Sequence, residues 1–457
     1  MNTMDLYHYL APGKIIHLIG IGGVSMSPLA EVLHRAGIIV QGSDMNESDT
    51  VHHLRNLGIS VAVGHGAENL GRCQCVIRSA AIHDNNPEII AARAAGIPVF
   101  ERAQAWGAIM RKYKNAVCIA GTHGKTTTTS MTAQILIQAG ADPTVMIGGT
   151  LPILNSGYCV GKGSTIVLES CEYCNSFLSF FPTIAVILNV EADHLDFFKD
   201  LEDIKHSFLR FAQLTPEDGQ VVFNLDDPGA TDVMQRYSGH QFTFSQHSSA
   251  ADCRAENITF LRGLPSFDVV IHGQFYAHIQ LQIGGEHNIS NALAAACAAY
   301  LLQIDGKAVE EGLASFTGAQ RRFQYKGEYH GAKIYDDYAH HPSELHALLT
   351  MAKSLGYQRI ICAFQPHTYT RTKALFQDFI QVLQIPDIVV LAEIYAARED
   401  NTIGISSADL AKHIPGSIYC ATLDSVTDTL RQLAQPGDLI LTVGAGDIYK
   451  AGENIVK

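Results

Sequence analysis

Short apolar runs that break at glycine and restart with helical spacing recur along this chain. Lys14-Ile15-Ile16-His17-Leu18-Ile19 meets Gly20-Ile21-Gly22-Gly23-Val24-Ser25-Met26-Ser27 and continues into a helix-patterned stretch over 28–36. A second run begins at Ile38-Ile39-Val40 and ends in Gln41-Gly42-Ser43-Asp44. Runs this short read as strands and the glycines as turns. Further strands are predicted at 61–63, 75–78 and 98–100. The pattern starts again with a strand at 116–120, a glycine turn and a helix through 130–136. Near-continuous apolar runs follow at 164–169 and 183–190, as strands buried on both faces require. A last series covers 333–335, 359–364, 388–392 and 439–443, ending in Gly444-Ala445-Gly446-Asp447. Strands alternating with helices predict an α/β protein with parallel sheets. Polar breaks at Arg111-Lys112-Tyr113-Lys114 and Arg321-Arg322 predict domains at 1–114, 115–320 and 321–457.

The turn at Gly121-Thr122-His123-Gly124-Lys125-Thr126-Thr127 carries the most chemistry. Backbone N–H groups at a helix start are unpaired and favour anions, and glycine lets phosphate approach the backbone. Lys125 can reach the outer phosphates and Thr126 can hold Mg²⁺. The usual GxxxxGK[ST] spacing would put a glycine at position 119, where the chain has Ile119, so this is a shorter GTxGKT form. The first turn, Gly20 to Ser27, has the character of a nucleotide-phosphate turn. Asp44 ends the next strand, about 20 residues on, where such units place a ribose contact.

Composition narrows the choice of function. The 457 residues exceed one hydrophobic core, and about three domains are expected at roughly 150 residues each. No run approaches the ~20 apolar residues of a membrane span, and Met1-Asn2-Thr3-Met4 does not open a signal peptide, so the expected location is the cytoplasm, without membrane insertion. A net charge of −13 without a basic cluster argues against nucleic acid as partner. The ten cysteines include only two close pairs, Cys73/Cys75 and Cys171/Cys174, and are expected to be reduced thiols.

Strand ends supply candidate cation ligands. Glu169 ends one central strand, and Glu191-Ala192-Asp193-His194 follow another. Carboxylates facing a GKT loop suit Mg²⁺ beside nucleotide phosphates. Asn288 and Asn291 lie on one helical face, where their amides either read an adenine edge or cap the helix. Asp336-Asp337-Tyr338-Ala339-His340-His341-Pro342 is a polar segment after a strand whose paired acids and histidines exceed what a turn requires. Arg371 opens a further helix.

These segments, with Asn189-Val190-Glu191-Ala192-Asp193-His194-Leu195-Asp196, Arg321-Arg322-Phe323 and Phe364-Gln365-Pro366-His367-Thr368-Tyr369-Thr370-Arg371, resemble the Mur ligases of bacterial peptidoglycan synthesis, in the same order and over essentially the whole chain. The resemblance implies an N-terminal Rossmann-like UDP-binding domain, a central P-loop ATPase-type domain and a C-terminal Rossmann-like domain. It implies that ATP phosphorylates the lactyl carboxylate of UDP-N-acetylmuramate, and that the amine of L-alanine attacks the acyl phosphate. Gly20, Gly22, Gly23, Ser25, Met26, Ser27 and Asp44 then fall to the UDP-sugar. Gly121, Thr122, His123, Gly124, Lys125, Thr126, Thr127, His287, Asn288, Asn291 and Asp336 fall to ATP, with Asp336 on the ribose. Thr126, Glu169 and His194 fall to one or two Mg²⁺ ions. Tyr338, His340 and Arg371 fall to the amino acid, and Lys125, His194, Arg322, His340, His367 and Arg371 to catalysis. A monomer or homodimer is expected.

Two positions depart from the family pattern. Ser25 replaces a frequent glycine, and Glu169-Ser170-Cys171-Glu172-Tyr173-Cys174 replaces a more acidic turn, which leaves Glu172 a weak candidate. A recycling ligase that adds a preformed tripeptide, a folate or amino-acid-polymer ligase, a non-catalytic UDP-sugar/ATP sensor and a dehydrogenase are the competing readings. The C-terminal domain is expected to close on the central loop when substrates bind.

Overall fold

The computed structural model describes residues 6–457 except positions 80, 196, 262 and 398. Met1-Asn2-Thr3-Met4 and the motif residue Asp196 lie outside the described residues.

Three sheets follow one another along the chain. The first holds β1 (Ile15–Ile19), β2 (Ile39–Asp44), β3 (Ser60–Val63), β4 (Cys75–Arg78) and β5 (Val99–Glu101) in the order β3-β2-β1-β4-β5, with every pairing parallel. Helix α1 (Met26–Arg35) follows the glycine turn after β1, and α2 (Arg102–Met110) closes this part of the chain. The strand order reverses at β1, so the turn after it opens into the crevice where such sheets bind ligands.

The second sheet begins with β6 (Asn115–Ala120), followed by α3 (Lys125–Gln138). It continues with β7 (Thr144–Leu151), β8 (Ser156–Cys159), β9 (Thr165–Glu169) and β10 (Ile184–Ile187). It ends with β11 (Gln220–Asn224), β12 (Gln241–Ser245), β13 (Cys253–Leu261), β14 (Leu264–Ile271) and β15 (Gln274–Gln280). The order is β15-β14-β13-β12-β11-β10-β6-β9-β7-β8, with β6 between β9 and β10. β10 is shorter than the apolar run over 183–190 suggests. Leu188 N–H still bonds the Ala120 carbonyl at 3.0 Å, and the chain leaves the strand after it, which sets Asn189 beside the loop. The antiparallel β13–β15 strands form no continuous apolar runs because one face is wet: β14 alternates between buried and partly buried positions at its start.

Helix α4 (His287–Leu301) leads to the third sheet, β16 (Gln324–Tyr329), β17 (Ala332–Asp337), β18 (Arg359–Phe364), β19 (Ile388–Ala392), β20 (Ile418–Cys420) and β21 (Asp438–Val443). Its order is β16-β17-β21-β18-β19-β20, with β16 the antiparallel edge. Helix α5 (Pro342–Ser354) follows β17, and α6 (Tyr369–Ala374) follows β18. β17 runs two residues past the predicted strand, so Asp336 and Asp337 are strand residues facing opposite sides.

Candidate active site

Topology brings the central chemistry together. The loop 121–124 leaves β6 between its neighbours, so it faces Glu169 at the end of β9 and Asn189 just past β10. Asn189 clamps it: its Oδ1 accepts the His123 N–H at 2.7 Å and its Nδ2 donates to the His123 carbonyl at 3.1 Å. Gly124 adopts φ 81°, and a Cβ there would stand 2.5 Å from Asn291 Oδ1, so only glycine lets α4 press this close.

Lys125 folds back over the loop. Its Nζ donates to the carbonyls of Gly121 and Thr122 and lies 3.1 Å from Glu172 Oε2. Burial opposes the ammonium charge, but the Glu172 carboxylate outweighs it and raises the lysine pKa. Glu172, the weak candidate of the sequence, is thus the buried counter-ion of the central lysine. Thr126 Oγ1 donates to Glu169 Oε1 at 2.9 Å, and the Gly148 N–H donates to Glu169 Oε2 at 2.6 Å. A hydroxyl paired with a carboxylate is a hard oxygen donor set that fits Mg²⁺. His194 holds a left-handed φ of 54°, with Nε2 3.7 Å from Asp193 and 3.8 Å from Glu172. Burial lowers its pKa despite both carboxylates, which leaves the neutral imidazole that ligates metal.

A cavity of about 680 Å³ opens beside the loop between the central and C-terminal sheets, within the usual range for a small-molecule site. His123, Thr127, His287, Asn288, Arg322 and Asp337 are among its walls. Asn288 and Asn291 lie within α4, and their amides are partly committed. Asn291 Nδ2 donates to Asn288 Oδ1 at 3.0 Å, Asn288 Nδ2 donates to the Gly284 carbonyl at 2.7 Å, and Asn291 Oδ1 accepts from Thr128 at 3.2 Å. They hold α4 to α3 as well as facing the cavity.

Asp336, the expected ribose ligand, is not on this wall. It is fully buried, accepting from Arg321 Nε and Thr442 Oγ1, both at 2.9 Å. Asp337 lines the cavity instead, accepting the N–H groups of Phe323 at 2.7 Å and Ala339 at 2.8 Å, with burial lifting its pKa to about 6. Neighbouring residues on a strand face opposite sides, so a shift of one position exchanges the buried and cavity-facing roles. Asp337→Ala should therefore raise the KM for ATP about tenfold, one lost polar contact to ligand. Asp336→Ala should leave that KM alone and lower stability by about 3 kcal/mol, because Arg321 loses its buried partner. Steady-state kinetics beside thermal melts separate the two outcomes.

The amino-acid candidates form a neighbouring group. Arg371 pairs with Asp193 across the two sheets, Nε to Oδ1 at 3.0 Å, and its Nη1 lies 3.3 Å from His367 Nδ1. His340 stacks edge-on to both Tyr338 and His367, and its backbone N–H donates to Glu344 at 3.0 Å. Burial lowers the His340 pKa to about 3, so it is a neutral hydrogen-bonding group. Arg322 reaches Glu344 at 3.9 Å and lies over the Tyr338 ring. Ser343 of α5 donates to Glu191 at 2.6 Å, a contact between the C-terminal domain and the segment after β10.

The UDP-sugar candidates gather at the crevice after β1, away from the 680 Å³ cavity. Asp44 Oδ2 accepts the Gly22 N–H at 2.9 Å. The Ser25 hydroxyl accepts from Arg102 of α2, and its carbonyl accepts from Trp106 Nε1 at 3.3 Å. Met26 is a core residue 1% exposed, and the N–H groups of Met26 and Ser27 bond the Gly23 carbonyl. The Met26 side chain packs into the core beneath the turn. Arg102, missed in the sequence because nothing local marks it, joins Ser25 to the neighbourhood of Cys171.

Three family descriptions match in succession: "Mur ligase family, catalytic domain" over 15–114, "Mur ligase middle domain" over 119–299 and "Mur ligase, glutamate ligase domain" over 321–446. A UDP-N-acetylmuramate–L-alanine ligase from Clostridium novyi is 45% identical over 444 residues, 96% of each chain. The chain belongs to the Mur ligase family. Another UDP-N-acetylmuramate–L-alanine ligase, from Caldanaerobacter subterraneus, is 44% identical over 97% of each chain. Among solved structures, the UDP-N-acetylmuramate–alanine ligase of Thermotoga maritima superposes with a TM-score of 0.78 at 30% identity, covering 96% of this chain and 98% of that one. The murein peptide ligase of Psychrobacter arcticus shares the fold, with a TM-score of 0.73 at 24% identity over 97% of this chain and all of that one. No described helix is long and apolar enough to cross a membrane.

Proposed function

We propose that this Mur ligase joins L-alanine to the lactyl carboxylate of UDP-N-acetylmuramate with ATP, giving UDP-N-acetylmuramoyl-L-alanine, ADP and phosphate for peptidoglycan synthesis. The observation that carries this reading is the meeting of the GTHGKT loop, the cavity under α4 and the Arg371–His367–His340 group between two sheets. Phosphoryl transfer depends mainly on positioning and charge neutralisation. Lys125, the loop N–H groups and Thr127 would hold the phosphates, and Asp337 would face the ribose. Thr126 and Glu169 would hold one Mg²⁺ and neutral His194 a second, supplying charge compensation at the phosphates. The UDP end would lie on the turn from Gly20 to Ser27. Arg371, with Tyr338 and His340, would orient the carboxylate of alanine so that its amine faces the acyl phosphate. The reading includes the domain division at 114/115 and 320/321, action in the cytoplasm, and a monomer or homodimer.

ADP release by the purified chain with ATP, Mg²⁺ and UDP-N-acetylmuramate, comparing L-alanine, glycine, L-serine and the peptidoglycan tripeptide, tests it. Release should require both the UDP-sugar and L-alanine. Dependence on the tripeptide would make the chain a recycling ligase, and nucleotide binding without release under any condition would make it a sensor.

A further inference from the structure

His123 sits inside the phosphate loop. Its Nε2 is buried and has no hydrogen-bond partner among the described residues, although Glu191 Oε2 lies 3.4 Å away. Its Nδ1 faces Glu344 Oε1 at 3.3 Å. Against the effect of burial, carboxylates facing both nitrogens raise the His123 pKa to about 9, so an ion takes the place of the Nε2 proton while Glu344 holds the ring at Nδ1, the arrangement that commonly supports histidine on zinc. The His341 ring lies 4.7 Å from that of His123, and ligating atoms of His123, Glu191 and His341 all fall within 4.8 Å of one another.

We propose that His123, Glu191 and His341 form a binding site for a borderline divalent transition-metal ion of the Zn²⁺ class, bridging the phosphate loop to the start of α5. Two imidazoles and one carboxylate make the donor set of an open zinc site, with water in the fourth position. Bond lengths of about 2.0 Å place tetrahedral ligand atoms about 3.3 Å apart, so the three groups must contract by roughly 1 to 1.5 Å. Side-chain rotation supplies that movement, at the expense of the contacts of the His341 ring with the Ser343 hydroxyl at 2.9 Å, the Ser343 N–H at 3.3 Å and the Ala192 carbonyl at 3.3 Å. The nitrogen donors separate this site from the oxygen pair of Thr126 and Glu169, because imidazole favours Zn²⁺, Co²⁺, Ni²⁺ and Cu²⁺ while Mg²⁺ prefers oxygen and water. The three ligands come from the loop after β6, the segment after β10 and the cap of α5. A bound ion therefore ties the central and C-terminal sheets together at the loop.

The full chain, without nucleotide, is titrated with Co²⁺ and Zn²⁺ by visible absorption and calorimetry, and the zinc form is studied by X-ray absorption. The expected result is one ion per chain, nitrogen and oxygen ligation without sulfur, and at least tenfold weaker binding in both His341→Gln and Glu191→Gln. The melting temperature should rise with Zn²⁺ in the wild type and not in His341→Gln. Binding that stays unsaturated at millimolar ion, sulfur ligation indicating Cys171 or Cys174, or affinity unchanged in both variants would overturn the site. The ligation pattern is read on the wild type, so a variant that fails to fold leaves the proposal open to refutation. The readout is ion binding rather than turnover, which keeps its outcome separate from that of the ligase assay.

Discussion

Lys125→Met should lower kcat/KM for ADP release by about 10³-fold, the scale on which removing a preorganised charge donor slows a transfer reaction. The buried pair with Glu172 makes the prediction sharper than the motif alone. With Lys125 gone, Glu172 stays buried without its counter-ion, which should cost about 3 kcal/mol of stability. The double variant Lys125→Met/Glu172→Gln should therefore recover the melting temperature and none of the activity. Melts and initial rates on the same preparations check both halves. Activity of the single variant within about tenfold of wild type would remove Lys125 from phosphate stabilisation. The same pair means that incoming phosphates compete with Glu172 for the ammonium. Glu172→Gln alone should accordingly tighten ATP binding while loosening the resting loop.

The legible parts of the site are those encoded over a few consecutive residues. The loop from Gly121 to Thr127 is one, because an apolar run, two glycines and a lysine act locally on one turn. Glu169 and His194 are others, since parallel strands carry their chemistry at their ends. Glu172 was obscure because its position depends on a turn in which Cys174 and Asn175 take left-handed φ of 54° and 55°, a conformation that neither residue type announces. Asp336 and Asp337 could not be ordered from sequence, because the side each faces depends on the register of β17 with β21. Asn189 and Glu344 reach the loop, and Arg102 reaches Ser25 in the first glycine turn, each across more than 65 residues of chain, and only the assembled topology brings these partners together. The strands β13 to β15 are illegible for a different reason: their wet face interrupts the apolar runs that mark a buried strand.

Arg371→Lys should raise the KM for L-alanine about 100-fold while the KM for ATP changes little, since a point charge does not replace a planar fork that can grip a carboxylate at two points. Asp193 already occupies one edge of the guanidinium, with both side chains about nine-tenths buried. If Asp193 aims Arg371 at the amino acid, Asp193→Asn should raise the same KM by a smaller factor, about tenfold, because the fork remains but loses its orientation. A pair serving only to join the sheets would instead raise both KM values together. Acid stability gives an independent reading. Burial works against the Asp193 carboxylate, but Arg371 overcomes it and holds its pKa well below the ordinary range. A depressed folded-state pKa means that the stabilisation is complete above the unfolded value of about 3.9 and is lost as pH falls through the lowered one. Between about pH 5 and pH 3 the wild type should then lose more melting temperature than Asp193→Asn, which has no carboxylate to protonate. Equal acid losses in the two proteins would show that the pair contributes nothing to holding the sheets together.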